Sequence, residues 1–153
     1  MDALNQLIQD HRKVAELFEQ FEATENEQEC QRIFQQIHQE LEVHTQLEET
    51  ALYPALQQYE ELKDITLEAI EEHRQVKTLL REVSNLTKGS EKMQAKVKVM
   101  QENIEHHVKE EEKEMFPLIR QAIPSEDLLR IGQDLQQKRT ELQKTAKAQS
   151  SRK

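Results

Sequence analysis

The sequence predicts an all-α protein, an antiparallel up-down-up-down four-helix bundle with a short C-terminal fifth helix. Three observations predict it. Only 2 glycines and 3 prolines occur in 153 residues, and Glu, Gln, Lys and Leu dominate, which favours long helices over sheets. Apolar residues recur at steps of three and four through four long segments, giving each one oily face. Short polar stretches join these segments, so consecutive helices should be antiparallel neighbours. The length suits one domain with a real core, read as residues 1–145, followed by a disordered tail over 146–153.

The first helix is expected from an N-cap at Asp2 to Phe21. Its stripe is Leu4, Leu7, His11, Val14, Phe18 and Phe21. The polar run ATENEQE makes a turn, and the second helix follows from Glu27 to near Tyr59, with Pro54 disturbing its last turns. Its stripe is Ile33, Ile37, Leu41, His44, Glu48, Leu52 and Ala55. The third helix spans Asp64 to Leu86, with Leu62, Ala69, His73, Val76, Leu80 and Val83 on one side. Thr87–Ser90, which holds one of the two glycines, is the clearest break. The fourth helix covers Ser90 to Ala122 and carries Met93, Val97, Met100, Ile104, His107, Glu111 and Met115 in register, with Pro117 near its end. Pro124 and Ser125 open the fifth, to about Gln143. Its Leu128, Leu129, Ile131 and Leu135 would pack on the bundle or support a dimer, and the oligomeric state is open.

Charged residues make up 33% of the chain and aromatics 4%, so the core should be Leu, Ile, Val and Met. The net charge is −9 and no basic stripe follows any helix, so no nucleic-acid partner is expected. Lys138, Arg139, Lys144, Lys147, Arg152 and Lys153 read as a solvated helix end and a frayed tail. No run approaches the ~20 apolar residues of a membrane span, and no basic start precedes an apolar stretch, so neither membrane nor signal peptide is expected. Cys30, alone and on an apolar stripe, reads as a core residue in a reducing, cytoplasmic setting.

Against this background one pattern occurs twice. DHRKV around His11 precedes HTQLEETALYP at His44, and EHRQV around His73 precedes HVKEEEKEMFP at His107. The paired histidines are 33 residues apart in one copy and 34 in the other. Each second histidine has a glutamate four residues on, Glu48 and Glu111, and a proline ten residues on, Pro54 and Pro117. All six of these histidines and glutamates fall on the apolar stripes. Buried, unpaired carboxylates and imidazoles would cancel much of the ~5–15 kcal/mol that stabilises a domain. Cations compensate both groups directly. Residues four apart share a helix face, so His44 with Glu48, and His107 with Glu111, reach one centre. Two imidazoles, two bridging carboxylate oxygens and a bridging oxo or hydroxo group would give each ion five ligands, leaving a position open for a small molecule. Such mixed nitrogen and oxygen ligation suits iron.

His38 and His106 lie off the stripes and read as surface or boundary residues. Glu49, Glu110, Glu112 and Glu114 read as a wet face, with Glu49 or Glu112 as the alternative extra ligand. The Glu-x-x-His spacing of ferritin-like carboxylate proteins is absent, as is HExxH. No acid–base group independent of the ligand set is apparent. A metal-free helical adaptor is the remaining alternative.

Over roughly residues 3–120 the chain resembles the hemerythrin-like HHE cation-binding family, through DHRKV, HTQLEETALYP, EEHRQV and HHVKEEEKEMFP. The resemblance implies a four-helix bundle around two iron ions in an oxo- or hydroxo-bridged, non-haem di-iron centre. By that analogy His11, His44, His73 and His107 are terminal ligands, and Glu48 and Glu111 bridge. His11 and His44 would share one iron, His73 and His107 the other. Oxygen-carrying members have a further histidine where this chain has Lys77, four residues after His73. The expected partner is a small diatomic ligand, dioxygen or nitric oxide, or iron itself. Decomposition of peroxide, or repair of oxidative and nitrosative damage, is the enzymatic alternative.

Overall fold

The computed structural model describes residues 1–86 and 91–151. Its first helix, α1 (Ala3–Ala23), begins where the sequence places it, because the Asp2 side chain accepts a hydrogen bond from the Asn5 N–H and so satisfies an otherwise unpaired helix donor. Asn26 does the same for α2 (Glu27–Leu47) by accepting from the Glu29 N–H. A single 3-10 turn, Glu60–Leu62, leads into α3 (Lys63–Ser84). Then follow α4 (Glu91–Glu110) and α5 (Ser125–Ser151). The predicted break at Thr87–Ser90 lies outside the described residues.

Two departures from the predicted elements bear on the site. The first is at the prolines. Neither Pro54 nor Pro117 has an N–H to return to the carbonyl four residues back. Both helices widen just before them, into π turns over Glu48–Leu52 and Glu111–Met115, and resume as α-helix over Tyr53–Leu56 and Phe116–Ala122. Tyr53 N–H bonds to the Glu48 carbonyl and Phe116 N–H to that of Glu111. The carbonyl of Thr50, four before Pro54, instead accepts from Lys138 Nζ at 3.1 Å. Each π turn also advances the buried face by one residue. Leu52 and Tyr53 are both buried, and Leu56 rather than the expected Ala55 continues the stripe.

The second departure is the fifth helix. It is 27 residues long and helical to Ser151, past the expected end near Gln143 and into the segment predicted to be disordered. Leu128 and Leu135 are buried against the bundle, Ile131 and Leu142 are partly so, and Leu129 is exposed. Lys138 and Arg139, expected to be solvated, face the bundle and bond to Thr50 and Asp10. No described helix is long and apolar enough to cross a membrane.

Two apolar clusters fill the interior. One, with Leu4, Leu7, Leu47, Leu52, Tyr53, Leu56, Met115, Phe116 and Ile119, includes the docking face of α5. The other, with Val14, Phe18, Ile33, Ile37, Val76, Leu80, Val97, Met100 and Ile104, fills the opposite end. Cys30 is buried in this second cluster. Between them along each helix lie the polar residues of the next section.

Docking of α5 on α1 depends on one close approach. A Cβ on Gly132 would lie 2.8 Å from the Met1 carbonyl oxygen and 3.0 Å from the Ala3 nitrogen, both backbone. The Gly132 carbonyl also accepts from Gln6 Nε2 at 2.9 Å. Gly132→Ala should therefore destabilise the fold by about 1–3 kcal/mol despite alanine's better helix propensity. Thermal melting checks this, and an unchanged or raised melting temperature refutes the close packing.

Candidate metal centre

Four helices each bring one histidine to the mid-plane of the bundle, and two of them add a glutamate one turn later. His11 comes from α1, His44 and Glu48 from α2 and its π turn, His73 from α3, and His107 and Glu111 from α4 and its π turn. None of the six is more than 7% exposed. The structure brings together all six residues named from the sequence.

Each glutamate spans the two sequence copies. Glu48 Oε1 lies 2.9 Å from His44 Nε2 and 3.2 Å from His73 Nε2. Glu111 Oε2 lies 2.5 Å from His107 Nε2, and its Oε1 3.4 Å from His11 Nε2. The rings pair within the copies, with centroids 5.0 Å apart for His11 and His44 and 5.1 Å for His73 and His107. Two donor groups result, His11 with His44 and Glu111, and His73 with His107, Glu48 and Glu111. Within each, one ligand atom per residue lies within 4.8 Å of the others.

The donor atoms are short of hydrogen-bond partners. Nε2 of His11, His44 and His107, and both oxygens of Glu48 and Glu111, are buried with no aligned hydrogen bond. Their close approaches therefore gather nitrogen and oxygen atoms around shared space without the direction of a hydrogen bond. Buried polar atoms are nearly always satisfied, and this set of imidazole nitrogens and carboxylate oxygens is what a divalent or trivalent cation satisfies. The centre passes that test on its own geometry. A third acidic group, Glu68, Glu72 and Glu110, is half-buried to exposed and is not a second centre, since its Glu72 is bonded to His107.

Three of the four outward nitrogens are held too. Nδ1 of His11 faces Glu112 at 2.8 Å, that of His44 faces Asp10 at 3.1 Å, and that of His107 faces Glu72 at 3.0 Å. His73 Nδ1 has no hydrogen-bond partner, with Glu49 4.0 Å away. The arrangement repeats with the sequence. The residue before the first histidine of each copy, Asp10 or Glu72, holds the second histidine of the same copy. The residue after each glutamate, Glu49 or Glu112, turns to the first histidine of the other copy. Carboxylates on the distal nitrogen orient a ligating imidazole and raise its basicity. Glu49 and Glu112, weighed above as extra ligands, thus face away from the donor groups. Lys77, at the position of the missing fifth histidine, turns outward and binds both oxygens of Glu49 at 2.8 and 2.7 Å. His106 is exposed and His38 half-buried; each pairs with the glutamate one turn on, Glu110 and Glu42.

The electrostatics follow from this wiring. Burial opposes a charged His44, but the Glu48 charge and the Asp10 hydrogen bond outweigh it and raise the pKa to about 10. Burial likewise opposes charge on His107, yet Glu111 and Glu72 raise it to about 11. Burial alone would raise Glu48, but His44 and His73 hold it well below the usual carboxylate range. Glu111 is raised by burial and by the Glu48 charge, and His107 and His11 bring it below its ordinary value. Asp10 also resists burial and is lowered by its bonds to His44 and Arg139.

One polar group at the centre escaped the sequence reading. The Tyr53 hydroxyl is hydrogen-bonded to His73 Nε2 at 3.2 Å, and the residue is 1% exposed. Burial, then the charges of Glu48 and Glu111, push its phenol well above the ordinary value. Tyr53 therefore keeps its proton and places a hydroxyl beside the ligand atoms that was not expected. In the other copy the equivalent residue is Phe116, stacked on His11 with centroids 6.2 Å apart and planes at 10°. The signal was available: both residues stand nine after the second histidine of their copy. Asp10 and Glu72 were equally visible as the acidic residue before each first histidine.

Comparison with known proteins agrees with this fold. A curated relative, a DNA nickase of Nostoc sp., is 30% identical over 117 residues, 76% of this chain but only 33% of that protein. The chain thus spans about a third of that relative's length. A solved structure of a hemerythrin HHE cation binding domain-containing protein from Mycobacterium kansasii superposes with a TM-score of 0.82 at 24% identity. It covers 95% of this chain and 90% of its own, and shows the shared fold. The family model for the hemerythrin HHE cation binding domain matches residues 2–119. With the bundle and its histidine–glutamate clusters in place, the chain belongs to the hemerythrin HHE cation-binding domain family.

Proposed function

We propose that the six residues hold two iron ions and that the centre binds a small diatomic molecule, dioxygen or nitric oxide. One observation carries the choice of ligand. A cavity of about 30 Å³ adjoins all four histidines, with walls that include Val14, Leu41, Val76, Ile104 and Val108. A single water-sized molecule needs roughly 10–15 Å³ on this measure, so a diatomic fits and a larger organic substrate does not. The apolar walls favour a weakly polar guest over bulk water. Iron, when bound, supplies exchange of one or two electrons with such a guest. His11 and His44 would hold one ion, His73 and His107 the other, with Glu48 and Glu111 between them and the outer carboxylates fixing the rings.

Tyr53 favours a second reading, decomposition of peroxide. Its hydroxyl lies beside the ligand atoms, where it could pass a proton between the oxygens of a peroxide as their bond breaks. The nickase activity in the name of the Nostoc relative is not adopted. This chain spans a third of that protein, and a net charge of −9 repels a phosphate backbone.

Loading competes with protons. Metal-free, His44 and His107 carry protons at neutral pH, since their values of about 10 and 11 exceed the ordinary 6.5. These raised groups stabilise the metal-free fold fully below pH 6.5, and that contribution is lost as the pH rises through about 10 to 11. Cations need the neutral rings, so affinity should climb with pH, and loading at pH 8 should release about two protons per chain. An indicator dye reads the release; none, with metal bound, refutes the assignment of these rings.

Reduced, iron-loaded protein should take up dioxygen or nitric oxide reversibly with a change in visible absorption. Glu48→Ala should lose both the change and half or more of the iron. Bleaching with loss of iron on the first exposure would instead make iron itself the cargo. Under the peroxide reading, wild-type protein evolves oxygen from peroxide, and Tyr53→Phe slows this about 10²-fold or more while retaining its iron. Equal rates in the two proteins remove Tyr53 from that chemistry.

A further inference from the structure

Among the carboxylates behind the four histidines, Asp10 is distinguished by its partner. Arg139 Nη2 donates to Asp10 Oδ2 at 2.9 Å, and the same oxygen faces His44 Nδ1 at 3.1 Å. The side chains of Arg139 and Asp10 are 15% and 11% exposed, and that of His44 is 6%. The chain of contacts runs from α5 through α1 to the imidazole on α2. Glu72, the counterpart of Asp10 in the second copy, has no lysine or arginine bonded to it among the described residues. Arg139 comes from α5, which lies beyond both sequence copies and beyond the matched family region, residues 2–119.

We propose that Arg139 is a positioning residue for His44, acting through Asp10, so that docking of α5 sets how tightly the centre holds its metal. The inference rests on the metal reading above. A carboxylate can rotate about its bond to the chain, and one hydrogen bond to His44 leaves that rotation free. A second bond on the same oxygen, from Arg139 Nη2, opposes it. Asp10 is then fixed with one oxygen on Nδ1, and His44 is held with Nε2 towards Glu48. The pair is placed by neighbours on α5 itself: Leu135, one turn earlier, is fully buried, and Lys138 is tied to the Thr50 carbonyl inside the π turn that starts at Glu48. Two adjacent cations of α5 therefore reach the support of both ligands that α2 supplies. Because coupling between sites is reciprocal, metal on His44 should in turn hold α5 down.

The test uses the full chain with Co(II) as the probe ion. Affinity is measured by competition with a chelator, ligand geometry by the Co(II) visible spectrum, and α5 docking by hydrogen exchange over residues 128–143. Arg139→Gln should weaken Co(II) binding roughly 10–100-fold and shift the spectrum. Asp10→Asn should do the same, and the double variant should bind no worse than the weaker single one, as for residues in one relay. Arg139→Lys, which keeps the charge and one donor on a differently shaped side chain, should recover part of the loss and covers the case of a Gln variant that fails to fold. Co(II) should slow exchange in α5 of the wild type and not in Arg139→Gln. Unchanged affinity in Arg139→Gln, or losses that multiply fully in the double variant, overturn the relay. A wild-type chain that binds no Co(II) overturns the metal centre itself, and the relay with it. Wild-type binding with an indifferent Arg139 removes only the relay.

Discussion

Two glutamates placed where water does not reach govern the rest of this molecule. Glu48 and Glu111 are 0% and 1% exposed, lie between two apolar clusters, and have no hydrogen-bond donor aligned on any oxygen. Ionised carboxylates in that position are costly unless positive charge meets them. Protons on His44 and His107 meet part of the need, which is why those rings hold protons so firmly. Cations meet it more fully, because they also take up the remaining nitrogens. Each glutamate touches one histidine of each copy. The rotation of all four helices about their axes is fixed by that requirement.

The prolines are part of the same constraint. Without the π turns, the buried face of α2 would continue from Leu52 to Ala55, and that of α4 would leave Phe116 to one side. The added residue in each turn swings Tyr53 and Phe116 inward, onto His73 and His11. Ligand, bridge and the aromatic wall behind the imidazole then follow along ten residues of one helix. π turns recur at functional sites for this reason: they change which side chains share a face without breaking the helix.

Much of this was legible because the information is local and periodic. Steps of three and four mark the helix faces, a spacing of four marks His44 with Glu48, and the repeat separates His107 from its neighbour His106. What was not legible depends on contacts between distant segments. Asp10 is marked by its place before His11, but its contacts with His44 and Arg139 appear only when α2 and α5 close over it. Lys138 and Arg139 look like a solvated helix end because their acceptors, Thr50 and Asp10, are 88 and 129 residues away. The shift from Ala55 to Leu56 was missed because Pro54 acts upstream of itself: the carbonyl it fails to satisfy lies a turn earlier. Tyr53 was missed for the same reason, since an unbroken helix would have turned it away.

A sequence pattern that occurs twice yields two matched half-sites, and that match alone accounts for metal binding without explaining what the metals do. Chemistry that treats two ions differently needs the symmetry to fail somewhere. Here it fails at two identifiable positions. The aromatic residue nine places after each second histidine is Tyr53 in one copy and Phe116 in the other, so a hydroxyl stands beside one half of the centre only. The acidic residue before each first histidine is pinned by a guanidinium at Asp10, while Glu72 is not. The first difference places a proton near His73. The second stiffens the support of His44, in the opposite pair of ligands. One ion would then sit where a proton can be delivered and the other where the ligand frame is most rigid. That division follows from one oxygen atom and one helix added outside the repeat.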